Sequence, residues 1–242
     1  MLVVLAREHD EEAARLVVQW ASLGAVQLTP RDLSRPGWNQ EHGRRRYQTA
    51  VIAGNRVGND SIGAVLVRLA AVTAFDLPHV SPLDRSYVAA EMTAFLVFWL
   101  GSLGTRVVNR PIEGCLGGPP WPQAQWISEA ARIGLPVVPF TRSTLQRRGV
   151  PDESMPTAPM NGDTVTVVGD KCVNSRSAVH AEHAKALAQS CGVDLLSVTF
   201  GTDNCEKGNS FLIAASPWPS LSDMRVSNEL RRFLQEVMRA NV

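Results

Sequence analysis

Apolar positions along the chain change period several times, and the changes lay out most of the secondary structure. Residues 2–6 (Leu-Val-Val-Leu-Ala) are apolar without a break, the pattern of a strand covered on both faces. Between residues 11 and 23, Ala13, Ala14, Leu16, Val17, Val18 and Trp20 recur at helical spacing, Gly24 closes the helix, and 25–28 is extended again. Strand, helix, strand at this spacing predicts an α/β layer with parallel strands. The turn after the first strand is Arg7-Glu8-His9-Asp10, bulky and charged where a phosphate-binding turn needs glycines, so a dinucleotide fingerprint is absent.

Residues 31–46 are polar and contain Pro36, Gly37 and Gly43, which predicts a loop. Strand, turn and strand follow over 47–58, with a further apolar strand over 62–69. From 84 to 103 the positions Tyr87, Val88, Met92, Phe95, Leu96 and Trp99 recur at intervals of three and four, with Ser81 or Asp84 placed to cap the helix. A brief strand at 107–108 runs into Asn109-Arg110-Pro111, and the Gly/Pro-rich 114–122 is a loop. A helix over 123–133 stops at Gly134, and 136–141 extends. The stretch 141–163, rich in Pro, Ser, Thr and Arg, marks a boundary. Beyond it come a hairpin (164–168 and 170–173), a helix (178–190), two strands (193–200 and 211–215) and an amphipathic helix over about 227–239 with Leu230, Phe233, Leu234 and Val237 on one face. No internal repeat is visible.

Composition narrows the class. With 242 residues, 45% of them hydrophobic and 19% charged, the chain can bury one sizeable core or two small ones. A formal net charge of +1 supplies no field towards nucleic acid or an anionic membrane, and Arg44-Arg45-Arg46 reads as a solvated loop. The longest apolar stretch, 87–103, contains Glu91 and falls short of the roughly 18 to 20 residues of a membrane span, so it is read as a buried helix. The N-terminus lacks a basic region ahead of its apolar run and is read as a first strand, not a signal peptide. Cys115, Cys172, Cys191 and Cys205 are scattered, which predicts reduced thiols in a cytoplasmic protein.

Three segments in order, DRSYVAAEMTAFLVFWLGSL, TRVVNRP and PQAQWISEAARIGLPVVPFT, resemble the stretch leading into the nucleotide domain of ATP-grasp enzymes. The similarity is greatest to the peptide-modifying maturases and the ribosomal-protein glutamate ligases. The matching positions are Glu91, Asn109, Pro111, Gln125, Gly134, Leu135, Pro139 and Thr141. VTVVGDKCV, GVDLLSVTF and FLIAASPWPSL resemble the last third of the same family. The resemblance implies an α/β fold with a pre-ATP-grasp-like N-terminal layer over 1–141. It also implies a shortened connection over 142–163 in place of the lid lobe, and a remnant of the ATP-grasp C-terminal layer over 164–242.

That family's chemistry uses two lysines against phosphate, and two carboxylates with an Asn to hold magnesium. The resemblance aligns the first lysine with Pro122, and the 142–163 connection is too short to carry the second. The metal ligands fall on Thr199, Ala214 and Ser216, none of them a carboxylate. A neutral Thr-Ala-Ser set does not offset a divalent cation and a triphosphate. Ligase activity is therefore expected to be lost, with no cofactor, and ATP with magnesium enters only if the chain is a divergent ligase completed by another chain.

Other candidate chemistry is thin. His180 and His183 share a helix face with Cys191 two turns on, too few ligands for a zinc site. No Gly-x-Ser-x-Gly elbow accompanies the histidines, so no Ser-His-Asp triad can be argued. Cys115 sits in a loop with nothing nearby to lower its pKa. Trp121 and Trp218, flanked by prolines, and Trp126 either fill the space vacated by ATP or form a partner interface. Asp170, Lys171 and Arg176 are placed to pair or to receive an anion. The candidate cleft or partner-binding set is thus Asn109, Arg110, Trp121, Gln125, Trp126, Asp170, Lys171, Arg176 and Trp218. The expected role is that of a non-catalytic accessory protein binding a protein or peptide partner in a modification or maturation system. A peptide or small-molecule binding module is the further alternative, and either a homo- or a hetero-oligomer is compatible with the sequence.

Overall fold

The computed structural model describes residues 1–41, 48–137, 162–202 and 210–241, which fall into two compact units: Met1–Pro120 with Ser220–Val242, and Trp121–Pro219. In the first unit a parallel sheet of order β2-β1-β5-β6 is built from β1 (Leu2–Leu5), β2 (Ala25–Leu28), β5 (Ala64–Val67) and β6 (Val107–Val108). All four residues of β1 are buried, as its unbroken apolar run requires. Val3 and Leu5 point to a core shared with α2 (Arg85–Leu103), whereas Val4 packs with Ala13 and Val17 of α1 (Glu11–Gln19) on the opposite face. A hairpin of β3 (Thr49–Ile52) and β4 (Asn55–Gly58) turns through Ala53 and Gly54, both left-handed, the geometry of a two-residue hairpin turn.

The second unit holds α3 (Gln123–Arg132), β7 (Asp163–Val168), β8 (Lys171–Val173), α4 (Ala178–Cys191), β9 (Leu195–Thr202) and β10 (Ser210–Ser216). Its strands form an antiparallel sheet of order β10-β9-β7-β8. Both helices pack on one face, where Trp126, Ile127 and Ala130 of α3 and Ala184, Leu187 and Ala188 of α4 meet Val165, Val167, Leu196, Val198, Phe200 and Leu212.

Three expectations change. The last helix, α5 (Met224–Ala240), starts a turn earlier than residue 227 because Asp223 caps it, accepting from the Arg225 N–H at 2.8 Å. It belongs to the first unit, where Val226, Leu230 and Leu234 are buried and Ser227 Oγ donates to Gln19 Oε1 at 3.1 Å, so residues 164–242 do not form one layer. The units also divide at Pro120, ahead of α3, because that helix buries its apolar face on the second sheet. The connection 142–163 lies almost wholly outside the described residues, as do Pro139, Thr141, Arg44 to Arg46 and Cys205.

Helix α2 is not simply a buried helix. Arg85–Arg106 is long and apolar enough to cross a membrane by length and composition, and 28% of its apolar window is buried. Leu96, Trp99, Leu100 and Leu103 enter the core, where Trp99 and Phe95 both meet Trp38 edge to face. Tyr87 and Phe98 stay exposed on the other side.

Candidate functional site

Successive strand residues alternate between faces, so the pairing register fixes what each face of the second sheet presents. Thr164 pairs with Thr199, and Thr166 with Ser197. On the other side of β9 the register shifts between Leu212 and Ala214, a bulge that pairs Ala214 with Thr199 and Ser216 with Ser197. Without that extra residue Ala214 would stand beside Val198 on the core face. With it, Thr164, Thr166, Ser197, Thr199, Ala214 and Ser216 share the face opposite α3 and α4. The three positions aligned with magnesium ligands thus converge, with Thr164 and Thr199 hydroxyls 3.2 Å apart. A hydroxyl pair, an alanine and a serine bring no formal charge, so this donor set does not fit magnesium with ATP.

The bulge is held from α3. Gln123 Nε2 donates to the Ile213 carbonyl at 2.7 Å, satisfying a group that the shifted ladder leaves over. Pro122 precedes the helix as its N-cap and is exposed, with no side-chain hydrogen bond to the helix. Gln125, singled out from the sequence, is exposed on the outer side of α3. Trp126 is 1% exposed and belongs to the core, which removes it from the partner-facing set. Trp121 leans on it, ring centroids 4.9 Å apart, and stays half-buried. Trp218 is half-buried between two buried prolines, its N–H donating to Ser216 Oγ at 3.2 Å.

The remaining candidates are spread. Asn109 and Arg110 lie in the first unit: Asn109 is buried and left-handed (φ 53), a conformation asparagine tolerates, and Arg110 is exposed. Asp170 and Lys171 are exposed at the β7–β8 turn. The Arg176 guanidinium lies 4.0 Å from Asp163.

At the carboxyl ends of β1 and β5, where ligands settle in open parallel sheets, the first unit has a cavity of about 560 Å³ lined in part by Arg7, His9, Asp10, Arg68, Phe75 and Asp76. Its charges are matched from within, Arg7 with Asp76 at 3.0 Å and Arg68 with Asp10 at 3.0 Å.

One constellation escapes the sequence. Asp163 of β7 pairs with Phe200 of β9, and Ser210 of β10 pairs with Thr202 two residues on, so Asp163, Phe200 and Ser210 share the α4 face. His180, in the first turn of α4, lies stacked on Phe200 with centroids 4.4 Å apart and rings 6° from parallel. Its Nδ1 is 2.6 Å from Asp163 Oδ2 and its Nε2 is 2.5 Å from Ser210 Oγ. The Arg176 N–H also donates to Asp163 Oδ2, at 3.2 Å. An ionised carboxylate only accepts, so Nδ1 donates to Asp163, and in the neutral imidazole Nε2 is then the acceptor for the serine hydroxyl. His180 is therefore engaged through both nitrogens, and among the described residues no group of three or more His, Cys, Asp or Glu gathers as a metal site.

No protein-family model and no curated protein matches the sequence. Solved structures do match. The macrocyclase MdnC from Microcystis aeruginosa, bound with precursor peptide MdnA, superposes with a TM-score of 0.71 at 11% identity over 98% of this chain and 99% of that one. A RiPP-associated ATP-grasp ligase from Chryseobacterium gregarium, in complex with ADP and a leader and core peptide, gives 0.64 at 10% over 97% and 96%. A RimK domain ATP-grasp protein from Sphaerobacter thermophilus gives 0.54 at 14% over 97% and 100%. At these identities the likeness is one of fold, and the fold is that of the ATP-grasp ligases.

Proposed function

We propose that this ATP-grasp-fold chain does not perform ATP-dependent ligation and acts by binding a peptide or protein partner in a peptide-modification or maturation system. The observation that carries the reading is the convergence of Thr199, Ala214 and Ser216 on one sheet face without a carboxylate. A divalent ion bridging phosphates draws much of its affinity from ligand charge, and these side chains supply none. One fold neighbour is bound with a precursor peptide and another is in complex with a leader and core peptide, which supports a peptide as the kind of partner. Trp121 and Trp218 are the residues we assign to that contact, both half-buried and braced by prolines that lower the entropy lost on docking. The free thiols Cys115, Cys172 and Cys191 fit a reducing, cytoplasmic setting.

Calorimetric titration decides between this reading and a ligase completed by a second chain. The wild-type protein is expected to show no magnesium-dependent ATP binding, while the triple variant Thr199→Asp, Ala214→Glu, Ser216→Asn gains affinity for magnesium. Tight magnesium-dependent ATP binding by the wild type, or ADP release with a peptide acceptor, overturns the proposal.

A further inference from the structure

We propose that Ser210 is an activated nucleophile and that Asp163, His180 and Ser210 form an acyl-transfer site for uncharged carboxylic esters. This site lies on the face of the second sheet opposite the vacated metal positions, and it stands apart from the peptide-binding reading. Three elements deliver one side chain each in the relation that nucleophilic serine chemistry needs: carboxylate to Nδ1, Nε2 to hydroxyl, in the chain order Asp, His, Ser. The supports lie in the fold itself. Asp163 is held by the sheet register and by the Arg176 N–H, and the imidazole plane is fixed by the stack on Phe200. Asp163 and His180 are each 8% exposed, so their interaction is little weakened by water, whereas Ser210 opens β10 half-exposed.

The surroundings set the substrate class. Phe200 and Leu212 share the sheet face of Ser210, and this apolar floor favours an uncharged acyl group over an anionic one. In the reaction Ser210 Oγ bonds to the ester carbonyl carbon while its proton passes to His180 Nε2. The tetrahedral adduct then breaks the carbon–oxygen bond to the alcohol, which leaves with that proton. Water repeats the sequence on the acyl-serine, restoring the hydroxyl and releasing the carboxylic acid. Asp163 acts through His180 as a positioning residue.

The experiment is labelling of the full chain with an alkyl fluorophosphonate, read by intact mass and by the modified peptide, together with turnover of a p-nitrophenyl ester. The phosphonate reports serine nucleophilicity without ATP or peptide, so its result is independent of the binding proposal. One phosphonyl group on Ser210 is expected, absent in Ser210→Ala. The labelling rate should fall roughly a hundredfold or more in His180→Asn, the scale of general-base assistance. Asp163→Glu, which keeps the carboxylate, should retain more rate than Asp163→Asn. If His180→Asn loses its fold by circular dichroism, the two Asp163 variants carry the comparison. An unlabelled wild type, labelling at another residue, or a rate unchanged in the His180 and Asp163 variants overturns the assignment.

Discussion

Asp10→Asn isolates an ion pair at the end of β1 from the helix cap that the same residue provides. Asp10 Oδ1 accepts from the Ala13 N–H at 2.9 Å, capping α1, and Oδ2 accepts from Arg68 Nε at 3.0 Å. Both side chains are largely buried, 18% and 16% exposed, and Arg68 also binds Glu12 at 2.6 Å. Asparagine keeps the capping oxygen, so the loss is confined to charge-assisted hydrogen bonding, about 1.5–3 kcal/mol per bond when a partner vanishes outright. Because Arg68 retains Glu12, we place the Asp10→Asn cost at the lower end, about 1–2 kcal/mol. Asp10→Ala should cost about 1 kcal/mol more, the worth of a cap.

Acid should erase the first of these losses. Burial by itself raises the Asp10 pKa, but the Arg68 hydrogen bond, the Ala13 N–H and the Arg68 charge together hold it below its ordinary value. The unfolded chain then binds the proton first. The stabilisation is complete above the ordinary carboxylate pKa of about 4 and disappears as pH falls through the lowered folded value. Urea unfolding at neutral pH and at about pH 3, with hydrogen exchange over residues 11–19 reporting α1, measures both effects. A neutral-pH Asp10→Asn loss that is absent, or that persists undiminished in acid, refutes the reasoning.

Two predictions concern the second unit. Trp126→Ala should cost about 3–5 kcal/mol, since a fully buried ring leaves a cavity beneath Trp121, and a urea-unfolding loss below about 1 kcal/mol would show that the side chain is not core. Gln123→Met should cost about 1–3 kcal/mol by stranding the Ile213 carbonyl, with faster amide exchange around residues 212–216; unchanged exchange there means the bulge does not depend on that contact.

Most elements were legible because periodicity and breakers agreed: the unbroken run of β1, the three-and-four spacing of α2, Gly134 after α3 and Gly169 in the β7–β8 turn. The resemblance also aligned Thr199, Ala214 and Ser216, but their sharing of a face depends on a bulge that no residue in FLIAASPWPSL announces. Burial of Trp126 was hidden for a related reason, because a tryptophan at a helix start suits a core and an interface equally. The Asp163, His180 and Ser210 set joins residues 17 and 30 apart through a register that only the folded sheet defines. The amphipathic stripe of α5 showed that one face is covered without naming the sheet that covers it.

The return of α5 to the first unit makes the second unit an insertion in the chain of the first, and this reverses their order of completion on the ribosome. Once residue 219 is free of the exit tunnel, every segment of the second unit is available to fold. The first unit, begun earlier, still lacks the helix whose Val226, Leu230 and Leu234 close it against β5. At roughly 5–20 residues per second, translating the intervening hundred or so residues leaves that flank bare for on the order of 5–20 s. The unit translated earlier of the two is therefore expected to stay open until residues 224–240 emerge, and a stop codon ahead of residue 224 would strand it.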